Sequence, residues 1–150
     1  MILFKVIVLS TLLYGCETWA LSRKQEMRLE VFQMKCLRRL LGITLLDRIC
    51  NDTIRARCGD IPKVMDVVRH RRLRWLGHVG RMPHHRLPIQ MLFSKLEGKG
   101  VRGATLKVWN ECVRKDLYSI RLHLDWWRKC KDRNGWRTAI SKVLQNAPSP

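Results

Sequence analysis

Acidic residues are scarce in this chain: 12 Asp and Glu stand against 30 Lys and Arg among 150 residues, a formal net charge of +18. The acids are scattered and no two are adjacent, so no paired carboxylates mark a divalent-metal polymerase or nuclease centre. Also missing are a Cys-x-x-Cys pair, a Gly-x-x-x-x-Gly-Lys phosphate loop and a Gly-x-Ser-x-Gly elbow. Nothing in the spacing sets a cysteine beside a histidine as nucleophile and base. The uncharged stretch from Val6 to Tyr14 is too short to span a bilayer. There is no internal repeat and no low-complexity segment. These absences leave no catalytic constellation, no metal site and no cofactor to expect, and they exclude a membrane-spanning chain. His78, His84 and His85 lack the paired short spacing of a structural zinc site and read as exposed histidines.

What is present fits one globular domain. Hydrophobic residues make up 46% and charged residues 28%, which excludes an intrinsically disordered chain and a collagen-like one. The charge excess opposes compaction and calls for a polyanionic partner, nucleic acid or an anionic membrane surface. Six cysteines (Cys16, Cys36, Cys50, Cys58, Cys112, Cys130) are spread through apolar helical patterns, where a free thiol acts as a small hydrophobe. A reduced intracellular protein, nuclear or cytoplasmic, is expected. The alternative is a secreted cationic protein stapled by disulfides. The opening MILFKVIVLSTLLYGCETWAL has Lys5 inside its apolar run, and Glu17 and Trp19 where a leader's small cleavage residues belong. It reads as a core element.

The fold class is all-α, an irregular bundle of about five to seven helices. Val and Ile in the first segment also suit a strand, which leaves an extended N-terminus open. A helix is predicted from Ser22 to Leu41, with Gln25 completing a capping box and Gly42 closing it. Shorter helices follow from Asn51 or Asp52 to Cys58-Gly59 and from Pro88 to Leu96. A long one lies between them, from Pro62 to Met82. Gly98–Gly103 reads as a basic loop. A helix is predicted over Thr105–Leu122, then one or two short helices to Leu144, broken near Asn134-Gly135. The organisation is residues 1–21 as an apolar segment, 22–145 as a helical domain, and 146–150 as a frayed tail.

Helical-wheel positions pick out the candidate residues. In the long helix Val64, Val67, Val68, Trp75, Val79 and Met82 form an apolar stripe, with Lys63, His70, Arg74 and Arg81 about 100° away. Between residues 63 and 86 seven Lys and Arg, among them Arg69 and Arg86, meet one acid, Asp66. In the next long helix Val108, Trp109, Cys112, Val113, Leu117 and Ile120 face inward, and Lys107, Arg114 and Arg121 lie opposite. Val68, Trp75, Val79 and Trp109 are expected in the core from these stripes, and Trp19 and Leu37 are expected there as well. Asp116 falls within an apolar face and needs a cationic partner, expected among the arginines of residues 69–74. Of Trp126 and Trp127, neighbours on a helix, one should be partly exposed.

An ordered series of blocks carries a resemblance. Leu13-Tyr-Gly-Cys-Glu-Thr-Trp19 resembles the segment that follows the catalytic palm in reverse transcriptases of non-LTR (LINE-type) retrotransposons. Arg28-Leu-Glu-Val-Phe-Gln-Met-Lys-Cys-Leu-Arg-Arg-Leu-Leu-Gly42 is similar to the family's next helix, and Arg71-Arg-Leu-Arg-Trp-Leu-Gly-His-Val-Gly-Arg-Met82 to its most recognisable block. Trp109–Leu117, Asp132-Arg133 and Trp136-Arg137 echo its closing motifs. The chain departs where the family has a Gly-Arg-Pro step: it reads Gly103-Ala104-Thr105. The resemblance implies the thumb and post-thumb region of an endonuclease/reverse transcriptase, separated from the palm aspartates and the endonuclease. Residues 1–21 would then adjoin that palm. It implies binding of RNA or an RNA/DNA duplex without sequence choice, and no polymerase activity for this chain alone. A helical protein-interaction or structural domain with relic positive charge is the rival reading.

Overall fold

The computed structural model describes residues 4–93 and 109–145, and among these every regular element is helical. Phe4–Leu9 winds as a π-helical turn that runs into α1 (Ser10–Leu12), and a 3₁₀ turn follows at Cys16–Thr18. The first segment is thus helical rather than extended. Phe4, Leu9, Leu13 and Cys16, the residues it buries, are spaced five, four and three apart, a helical stripe and not a strand's alternation. Gly15 turns the chain at φ +66°, a left-handed conformation that favours glycine.

α2 (Arg23–Leu41) starts where the capping box places it: Gln25 N–H donates to Ser22 Oγ, and Ser22 N–H donates to Gln25 Oε1 at 2.8 Å. It stops at Gly42, φ +65°, where Ile43 N–H returns to Arg38 O at 2.9 Å, the left-handed closure that satisfies last-turn carbonyls. α3 (Asn51–Arg57), α4 (Val64–Gly80), α5 (Leu87–Phe93), α6 (Trp109–Ser119), α7 (Trp126–Lys129) and α8 (Arg133–Gln145) complete the order. The eight α-helices among the described residues exceed the expected five to seven because α1 and α7 are single short turns.

Two boundaries differ from the sequence reading. The break expected near Asn134-Gly135 falls earlier: the Asp132 carboxylate accepts from Asn134 N–H and Gly135 N–H, both 3.0 Å, so these residues open α8. The helix expected to reach Leu122 ends at Ser119, which leaves Arg121 in a turn with φ +56°. Gly98–Gly103, Lys107, Val108 and the 146–150 tail lie outside the described residues.

α4 is the hub. It packs against α2, α5, α6, α8 and the 3₁₀ turn. The first segment, α2 and α3 pool Phe4, Leu9, Met34, Leu37, Ile54, Cys58 and Ile61 in one core cluster. Leu13 and Cys16 join Val64, Met65 and Val68 in a second. Leu73 and Leu76 of α4, Val113 and Leu117 of α6, and Trp136, Ile140 and Val143 of α8 form the third. Gly77 and Gly80 let the C-terminal helices approach closely. A Cβ on Gly77 would sit 2.2 Å from Trp136 Nε1, and one on Gly80 2.7 Å from Cys130 Sγ. The Trp136 indole donates to Leu73 O at 3.1 Å, which satisfies its buried polar tip.

α4 borrows its N-terminal caps from α2. Gln33, fully buried, donates to Pro62 O at 2.9 Å and accepts from Val64 N–H at 3.1 Å. Glu30 Oε1 accepts from Met65 N–H at 3.1 Å while Oε2 pairs with Arg55 at 3.1 Å. Helix starts leave orphan donors that must find acceptors, and here a neighbouring helix supplies them.

Candidate nucleic-acid interface

The arginines divide into paired and unpaired sets. Arg55 bridges Glu30 and Asp52, both at 3.1 Å. Arg69 contacts Asp66 at 3.1 Å and Asp116 at 3.9 Å. Arg72, almost fully buried, sets its Nε 2.7 Å from Asp116 Oδ2 and donates from Nη1 to Trp19 O at 3.0 Å. Asp116 thus has its partners among the arginines of residues 69–74. Burial pushes its carboxyl above the ordinary carboxylate value, and Arg72, then Arg69, oppose that shift. Asp66 shifts the same way, for burial again outweighs its cationic neighbours, Arg69 first. These charges tie helices together.

Five arginines that make no ion pair among the described residues gather elsewhere. One face of α4 and the first two turns of α8 border an open cleft of about 510 Å³. Arg71, Arg74 and Arg81 line it from α4 and its C-terminal end, and Arg133 and Arg137 line it from α8. Arg71 is held from behind by donation to Leu13 O at 2.7 Å, and Arg81 by donation to Cys130 O at 2.8 Å. Among the described residues the side chains of Arg74, Arg133 and Arg137 make no ion pair or hydrogen bond. His70 and His78 add two imidazoles. His70 titrates below the ordinary histidine value, first because it is partly buried and then because Arg74 and Arg71 repel a further positive charge. Glu17 is the one acidic side chain on the cleft among the described residues.

Two tryptophans face this cleft in different ways. Trp136 forms part of the wall with its ring packed in the core. Trp75, expected in the core, is only half-buried, belongs to no core cluster and lies 5.3 Å from the His78 ring. The stripe reading failed here because α4 is buried on several sides at once. Leu73, Leu76, Gly77 and Gly80 occupy the directions that a single-partner helix would expose. Of the other expected core residues, Leu37, Val68 and Val79 are buried, whereas Trp19 and Trp109 are half-buried at cluster edges. Trp109 donates its indole N–H to Glu17 O at 2.7 Å.

The predicted cationic residues are not all brought together. His70, Arg74 and Arg81 share the cleft, but Lys63 and Arg69 border another hollow, where Glu26, Glu30, Asp52 and Asp66 mix with the cations. Arg86 is exposed in the turn before α5 and Arg114 on α6, and Arg121 has left the helical register. The wheel missed Arg133 and Arg137 because they lie over fifty residues from α4 in sequence. It could not register Gln33 either, whose polar side chain on α2 reads as surface.

Among the described residues no three His, Cys, Asp or Glu side chains gather in a metal-holding group, and no helix is long and apolar enough to cross a membrane. All six cysteines are free thiols. The chain is 29% identical over 153 aligned positions to an uncharacterized transposon-derived protein of Caenorhabditis elegans. That similarity covers 97% of this chain and 55% of the relative, so the chain spans about half the length of the curated relative it matches. No family model matches the sequence, and no solved structure matches it.

Proposed function

We propose that this chain is a non-catalytic, nucleic-acid-binding piece of a retrotransposon-derived reverse transcriptase, and that the α4–α8 cleft grips backbone phosphates of RNA or an RNA/DNA duplex. The observation that carries the reading is the convergence of Arg71, Arg74, Arg81, Arg133 and Arg137 from two helices on one cleft that, among the described residues, a single acid borders. Arginine's planar fork suits phosphate; Arg71 and Arg81 are each held by one backbone carbonyl, and Arg74, Arg133 and Arg137 have no internal partner among the described residues. The similarity to a transposon-derived protein supports the origin, and the ordered sequence blocks support the reverse-transcriptase assignment. In this reading residues 1–21 adjoin a palm that carries the polymerase aspartates, with Val6 and Ile7, 62% and 57% exposed, on the palm side.

Phosphate contacts set affinity rather than sequence choice, and each one releases condensed counterion. The test is a titration of the protein against one oligonucleotide at several salt concentrations. Arg74→Ala with Arg137→Ala is expected to flatten the log–log salt slope by about two, whereas Lys63→Ala, in the mixed-charge hollow, leaves it nearly unchanged. Equal slopes for wild type and the double variant would favour the rival, a helical interaction domain whose cations are merely solvated.

A further inference from the structure

We infer that the α4–α8 cleft takes an unpaired segment of nucleic acid, with one base stacked on Trp75 and the flanking phosphates on Arg74 and Arg137. The inference rests on the reading of the cleft as a nucleic-acid site and adds the strand class that it selects. Three observations carry it. First, Trp75 is a large aromatic ring left partly exposed inside a concave cationic site, outside every core cluster. Second, the volume of about 510 Å³ falls in the range of sites for small molecules, about 300–1,000 Å³. Such a recess admits a base with its sugar. A duplex keeps its bases stacked inside and presents only its backbone to a recess of that size. Third, the arginines with no internal partner stand on both walls, α4 and α8, so a backbone entering the cleft meets cations on either side of the ring. A cationic groove with an aromatic platform is the arrangement that binds single strands with little sequence choice, because every base has a π-face.

His78 supports the platform. Its ring lies 5.3 Å from Trp75, tilted by 43°, and limits the indole's swing on that side. Trp136 fixes the wall behind, held by Leu73 O and by the space that Gly77 leaves.

The experiment compares binding of the whole chain to a single-stranded oligonucleotide, to the blunt duplex of the same sequence, and to the single strand with its bases removed at abasic sites. Wild type is expected to prefer the intact single strand over both by at least about fivefold. Trp75→Ala is expected to lower single-strand affinity by about five- to a hundredfold, the effect of losing one base–aromatic stack. Duplex binding and the salt slope stay where they were, and Trp75→Phe keeps most of the affinity. Equal binding of intact and abasic strands by wild type overturns the inference even if Trp75→Ala does not fold. So does an equal loss on single strand and duplex in Trp75→Ala. In either case salt-dependent binding through the arginines stands, and with it the reading of the cleft. A chain that binds none of the three at low salt overturns both.

Discussion

Arg72 and Asp116 form a charge pair inside the protein, Nε to Oδ2 at 2.7 Å, with 3% and 7% of their side chains exposed. The pair ties α4 to α6, and Arg72 also holds the carbonyl of Trp19. Removing one member of a buried pair leaves the other charge uncompensated, which typically costs about 3–5 kcal/mol. Arg72→Met keeps the apolar stem and deletes the charge, so the loss it shows in urea unfolding measures the guanidinium. A change below about 1 kcal/mol would mean that Arg69, 3.9 Å from Asp116, suffices alone.

The same carboxylate sets a pH dependence. Burial raises the Asp116 value above the ordinary 3.8, so the folded protein holds that proton more tightly than the unfolded chain. Ionisation of Asp116 therefore subtracts stability at neutral pH. As pH falls through the raised folded value the penalty fades, and below about 3.8 the effect is complete. Relative to Asp116→Asn, wild type is expected to gain stability as pH is lowered through that window. Unfolding curves at several pH values check the sign. A relative loss for wild type would show that attraction to Arg72 outweighs burial.

Trp75 and Trp136 should respond very differently to truncation. Trp136, 2% exposed, is a core residue, and Trp136→Ala is expected to cost about 3–5 kcal/mol. Trp75 packs in no core cluster, so Trp75→Ala should cost less, about 1 kcal/mol. Melting temperatures of the two variants, measured side by side, decide it, and equal losses would put Trp75 back in the core.

Two glycines make a similar contrast. At Gly77 a methyl group meets the Trp136 ring at 2.2 Å, and Gly77→Ala is expected to cost about 3 kcal/mol through overpacking. At Gly42 a methyl group meets nothing within 4 Å, but φ is +65°, so Gly42→Ala should cost only the left-handed backbone penalty of about 1–2 kcal/mol. Denaturant midpoints order the two.

How far the sequence carries depends on whether a signal is local. The ends of α2 were legible because Ser22, Gln25 and Gly42 each act within one turn of their own position. α4 existed in the pattern, but its facing did not. The stripe of Val64, Val68, Trp75 and Val79 assumes one partner surface, whereas α4 is enclosed by several neighbours and buries even Arg72 and Asp66. Hence the pattern points Trp75 inward and gives no sign of the cleft. Asn134-Gly135 looked like a break because both residues favour turns, yet the Asp132 carboxylate recruits their amides to begin a helix. Half of the cleft was legible, in His70, Arg74 and Arg81. The other half required knowing that α8 lies along α4, which no spacing in the sequence encodes.

α4 has no cap of its own side chains at its first turn; Gln33 and Glu30 of α2 fill that role. The first turn of α4 therefore cannot survive the departure of α2, because the amides of Val64 and Met65 would lose their acceptors. The loop between the two helices and all of α3 are enclosed within that dependence. Residues 4–80 should behave as one cooperative unit in native-state hydrogen exchange, with the Val64 and Met65 amides opening at the same free energy as the centre of α2.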